Sequence, residues 1–186
     1  MIRNQKTCSL LGAALILTCI IISCGNESNK TKMISSNKFT WNVQLAGYDH
    51  SMADEKGETN YDDFITEFEK FPWMEQLEEA NEKPDNCAPT LSIEDLSNNK
   101  SFWVSMAGDK KEHGYILGYI YPKEKKTLFG LGKKKTIRWL EMYATEDKEG
   151  VINCLRLFFK RDYQLLKSNT SKMEDFGQME SKDLTK

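Results

Sequence analysis

Histidine is nearly missing from this chain: 186 residues contain two, His50 and His113. Both sit among charged residues in stretches that read as loops. A nucleophile needs a base beside it, so imidazole chemistry has few starting points, with Asp49 the only obvious neighbour of His50. No G-x-S-x-G elbow and no catalytic-cysteine signature occurs either. A phosphate loop is also lacking. Gly130-Leu131-Gly132-Lys133-Lys134-Lys135-Thr136 brings the right residue types together. The motif, however, separates its glycines by four residues, puts one Lys directly before Ser or Thr, and opens a helix, whereas this run leads into a strand. Asp49, His50, Asp54, Glu55, Glu58, Asp62 and Asp63 crowd one segment, but their spacing follows no calcium-loop grammar. No enzyme activity, cofactor or metal is therefore expected.

Excess positive charge is absent as well. The formal net charge is −2, which gives no general attraction to nucleic acid. An apolar run long enough to cross a membrane is missing too. Leu10 to Ile22 carries no charge, yet as a helix it would span only about 20 Å of a hydrocarbon core about 30 Å thick.

That short run, preceded by Arg3 and Lys6, has the layout of a secretory signal peptide. Its end, Ile21-Ile22-Ser23-Cys24-Gly25, resembles the lipobox of bacterial lipoproteins. The resemblance covers only the first two dozen residues. It implies removal of residues 1–23, lipidation of Cys24 (palmitate or a similar acyl chain), and a protein held at a membrane of the cell envelope. Two or three acyl chains anchor stably where one is marginal, at about 0.8 kcal/mol per buried methylene. Without the resemblance, the same layout fits an ordinary secretory peptide or an uncleaved anchor, with Cys24 a bystander. Residues 24–38 then form a lipidated Cys and a polar tether, since GNESNKTKMISSNK has almost no apolar residue.

After residue 23 only Cys87 and Cys154 remain beyond Cys24. In an exported protein they form either one disulfide or two small buried thiols.

Residues 39–167 read as a single α+β domain. Phe39, Trp41, Val43 and Leu45 alternate with polar residues, a strand with one core face. Tyr48 to Asn60 reads as a loop. Asn60 can cap a helix carrying Phe64, Phe68 and Phe71, and Pro72 separates it from a second helical piece with Trp73, Met74 and Leu77. From Thr90 the pattern is a hairpin, then Tyr115 to Tyr121, apolar on both faces as in a strand covered on each side and stopped by Pro122. Thr136 to Tyr143 is a further strand. Thr145 can cap a final helix with Ile152, Leu155, Phe159 and Leu166 on one stripe. The expected fold is an antiparallel meander of about four to five strands, with one or two N-terminal helices and a C-terminal helix packed on the sheet. Residues 168–186 read as a polar, disordered tail.

Charge is unevenly distributed. Residues 49–83 hold twelve acidic and three basic side chains, whereas residues 123–138 hold seven basic and one acidic. One reading is a steering surface for a protein partner; the other is mutual neutralisation or simple solvation. Within the basic run, Leu128 and Phe129 sit at a hairpin tip collared by Lys125, Lys126, Lys133, Lys134 and Lys135. A greasy tip with such a collar suits a protein partner or an anionic surface. The sequence thus points to an envelope lipoprotein with a small non-enzymatic, protein-binding domain, similar in type to immunity lipoproteins. The alternative is a lipid-anchored enzyme or small-ligand protein acting on envelope material, with roles for His50, Asp49 or His113.

Overall fold

Strand alternation and helix caps, in that order, build the domain. A computed structural model describes residues 38–83, 87–126 and 134–181. The chain runs β1 (Phe39–Gln44), β2 (Asp54–Thr59), α1 (Tyr61–Lys70), α2 (Trp73–Glu82), β3 (Thr90–Asp95) and β4 (Lys100–Gly108). It continues with β5 (His113–Lys126), β6 (Lys134–Thr145), α3 (Lys148–Phe159), α4 (Tyr163–Thr170) and β7 (Glu174–Glu180). Every neighbouring pair of strands is antiparallel, in one sheet of order β2-β1-β3-β4-β5-β6-β7.

The α+β class stands, but the meander of four to five strands does not: the described residues form seven strands and four helices. Both added strands lie at sheet edges. β2 comes from the segment read as a loop, and β7 from the segment read as a disordered tail. Each is exposed almost throughout, β2 without an apolar side chain and β7 with only Phe176 and Met179, so neither has the hydrophobic alternation that marks a half-buried strand. Pro122 does not stop β5, which stays in register through Pro122↔Arg138 to Lys126↔Lys134. Pairing with β4 ends at Ser101↔Ile120, so from Tyr121 onward β5 has a neighbour on one side only, where a strand accommodates proline.

The helix expected to run from Thr145 to Leu166 is broken. Arg161 takes a left-handed φ of 59°, and Asp162 starts α4 by accepting from the Leu165 N–H at 3.2 Å. Thr145 is not the cap: its hydroxyl accepts from the Asp147 N–H, and Asp147 is the N-cap residue of α3. Asn60 does cap α1, accepting from the Asp63 N–H at 3.0 Å.

All four helices pack on the same sheet face. Phe64 and Phe68 of α1, Trp73 and Leu77 of α2, the Val151, Leu155 and Phe158 side of α3, and Leu166 of α4 close over Val43, Ile93, Phe102, Val104 and Leu117. The opposite face carries no helix among the described residues. The expectation that Tyr115 to Tyr121 is covered on both sides is therefore overturned: Ile116 and Ile120 point to the helix-free face and are only half-buried.

Cys87 and Cys154 are both buried free thiols. Cys154 belongs to the core under α3, whereas Cys87 lies beside His50. The disulfide alternative is not the one adopted.

Candidate functional site

Register isolates one feature from the body of the sheet. β4 leaves β5 at Ile120, and β7 pairs with β6 only as far as Trp139↔Glu180. Past Arg138, whose carbonyl still accepts from the Ser181 N–H at 2.9 Å, the two strands pair with each other alone from Lys123↔Ile137 to Lys126↔Lys134. This two-stranded arm brings together four of the residues singled out in the sequence. Lys125 lies directly opposite Lys135, and Lys126 opposite Lys134; all four are exposed. Like charges facing each other across a ladder destabilise it. Two carboxylates offset part of the repulsion: Glu180 reaches Lys125 at 3.2 Å and Glu124 reaches Lys134 at 2.7 Å. Lys123 stands 3.8 Å from the centre of the Trp139 ring. Phe129 and Lys133, and Cys24 at the other end of the chain, lie outside the described residues.

The acidic residues sit elsewhere. Asp54, Glu55 and Glu58 belong to β2 at the sheet edge, and Asp62, Asp63, Glu67 and Glu69 to α1. β2 is separated from β5 by β1, β3 and β4, about 20 Å at about 4.8 Å per strand. Among the described residues no ion pair joins the acidic segment to the arm. Glu78 instead holds Lys110, Glu79 holds Lys83, and Asp54 holds Lys56.

Two buried carboxylates were not visible in the sequence as sites. Asp95 is fully buried and accepts from Arg161 Nε at 2.8 Å, from Asn98, and from the Ser97 and Tyr163 hydroxyls. Burial alone would raise its carboxyl, but these bonds hold it well below the usual carboxylate range. Glu141 accepts from Tyr121 at 2.7 Å, Lys167 at 3.0 Å and Tyr143 at 3.1 Å. Burial likewise works against its charge, and the bonds from Tyr121 and Lys167 outweigh it. The partners of Asp95 include Arg161 between α3 and α4 and Tyr163 of α4, and those of Glu141 include Lys167 of α4, so both carboxylates tie α4 to the sheet.

The thiol and imidazole that the fold does bring together are Cys87 and His50, with Sγ 3.2 Å from Nδ1. Burial, and then the charge of Asp49, push the Cys87 thiol up rather than down. That is the reverse of what an attacking thiolate requires. His113 lines a groove of about 440 Å³ at the far end of β5, with Glu112, Glu146, Glu174 and Phe176. Another groove of about 440 Å³, between β1 and α3, is lined by Phe39, Tyr61, Arg156 and Phe159 and contains neither histidine nor cysteine. Among the described residues no group of three or more His, Cys, Asp or Glu side chains is arranged to hold a metal ion. No helix among them is long and apolar enough to cross a membrane.

In comparisons with known proteins, no family model, no curated protein and no solved structure matches the chain. The class it can be assigned is that of its fold: an open-faced α+β sandwich.

Proposed function

We propose that this chain is a lipoprotein of the bacterial cell envelope, held to a membrane through acyl chains on Cys24, and that its domain is a non-enzymatic module binding another protein. The anchor part of the reading draws on the lipobox-like end of the short apolar leader and on the polar tether that follows. The binding part is carried by one observation: the arm that sets Lys125 opposite Lys135 and Lys126 opposite Lys134 beyond the last ladder pairs of β4 and β7. A fold gains nothing internally from stacking like charges at an exposed hairpin. An acidic surface docking there does gain, in encounter rate and in selection against wrong partners. An immunity-type role, with an acidic antibacterial toxin as the partner, fits this chemistry.

The test is affinity capture of the full-length protein from its native membrane, comparing wild type with Lys125→Glu/Lys135→Glu. One stoichiometric partner held by wild type is expected to be lost from the charge-reversed form, and an acidic toxin would name the role. A wild-type protein that retains no partner, or a partner indifferent to the reversal, would overturn the reading.

A further inference from the structure

Residues directly opposite in register share a face, so the helix-free side of the sheet can be read row by row. Toward β1 it is polar, with Gln44 beside Thr90 and Asn42 beside Ser92. From β4 to β7 it turns apolar. Trp103 lies across Gly118, where a Cβ would come within 1.9 Å of its ring. Ile116 and Ile120 follow on β5, Met142 stands opposite Gly118, and Met179 opposite Leu140. Phe176, at the bulge in β7, is 53% exposed and Met179 is 51% exposed. Trp103, Ile116, Met142 and Phe176 line the apolar side of a depression of about 340 Å³ that runs on to Ser105, Ser92 and Gln44 on the polar side.

The two ends of this apolar half carry opposite charge. At the arm end, the residues whose alternation places them on the helix-free side are Lys126, Lys134 and Arg138, with Glu124 held by Lys134. At the other end Glu174 lies opposite Ala144 on that side, and Glu112 and Glu146 line one groove with it, Ile116 and Phe176. Lys110 and Lys111 of the nearby turn lie instead with Glu78 and Glu82 of α2, on the helix side. Fourteen residues of β5 separate the two ends, roughly 43 Å at about 3.3 Å per residue.

We propose that a second copy of this chain covers the apolar half, face to face, about a two-fold axis running across the strands. Such an axis reverses strand direction but keeps sheet order. It lays the β4 to β7 half of one copy on the same half of the other, Trp103 and Met142 near the centre. It also sets the carboxylates at one end of each copy against the lysines at the other end of its mate. The contact is isologous and self-complementary, as closed dimers require, with the two sheets about 10 Å apart. A two-fold axis along the strands would instead pair acid with acid. The sheet edges offer no competing route, because β2 and β7 both carry charged side chains and both are interrupted by a register shift within their pairing.

This assembly does not rest on the partner-binding reading, whose test reverses Lys125 and Lys135 on the other side of the arm. It is tested by sedimentation of the full-length protein in mild detergent at low salt. Wild type is expected to sediment as two chains. Lys126→Glu/Lys134→Glu and, separately, Glu146→Lys/Glu174→Lys are each expected to weaken the dimer by about tenfold or more, and all four substitutions together to restore it. Phe176→Glu, at a position folding leaves exposed, is expected to give the same loss while the single chain keeps the wild-type circular dichroism spectrum. A single chain at every concentration, whether or not the face then binds lipid vesicles or another protein, would overturn the proposal. So would a dimer insensitive to both charge reversals, or a four-fold variant that stays monomeric.

Discussion

At the scale of single residues the fold is held by contacts that link distant parts of the chain. Asp95 ends β3, and the Arg161 that pairs with it lies 66 positions later. Arg161 keeps its left-handed backbone while its guanidinium also stands 4.5 Å from the Phe39 ring. Removing one partner of a buried, hydrogen-bonded pair costs about 3–5 kcal/mol. Asp95→Asn should fall near the lower figure, because Arg161 is 29% exposed and can recover water. The sign of the pH dependence follows from the depressed carboxyl. Its stabilisation is complete above the unfolded value of about 3.9 and is lost as pH falls below that, toward the native value. Urea unfolding of wild type should therefore weaken between about pH 5 and pH 3, and Asp95→Asn should weaken much less over that range. Equal stability of the two proteins at neutral pH would show that the pair does not tie α4 to the sheet. None of this was readable in advance. Asn60 announces its cap because partner and cap lie three residues apart, whereas nothing local to Asp95 names Arg161.

At the scale of elements, what the sequence revealed depended on burial. β1 and the β3–β4 hairpin were legible because one face of each is in the core, so their apolar residues alternate. β2 and β7 were not, since an edge strand exposed on both faces has no period to detect. The break between α3 and α4 was missed for a related reason: the apolar stripe continues across Arg161, and only the backbone shows the turn. The register of β4 on β5 carries its own test. Gly118 faces Trp103 across the ladder, and its missing side chain leaves the space that the indole fills. Gly118→Ala forces the ring to shift or the strands to part, at a cost of about 1–3 kcal/mol. A lowered melting temperature and altered Trp fluorescence are the expected results. An unchanged melt would mean that Trp103 does not rest on the strand there.

At the scale of the whole molecule, the charge asymmetry visible in the sequence becomes a matter of sheet order, with the acidic β2 at one edge and the basic arm rising from β5 and β6. The proposed anchor at Cys24 is separable from everything said of the domain. Lipidation requires the Cys24 thiol itself, whereas an ordinary secretory cleavage near Ser23 is indifferent to it. Cells expressing the wild-type chain and given labelled palmitate should yield labelled, membrane-bound protein. Cys24→Ser should remove the label and leave the leader uncleaved, because the lipoprotein peptidase acts on the modified cysteine. A wild-type chain that is cleaved yet unlabelled and released into the soluble fraction would sink the anchor while leaving both the arm and the dimer to be judged on their own tests. With the anchor in place, residues 25–38 give the domain a reach of at most about 50 Å. On the proposed reading, the arm and the helix-free face would then meet their partners clear of the headgroups, and two copies on neighbouring anchors would meet at a raised effective concentration.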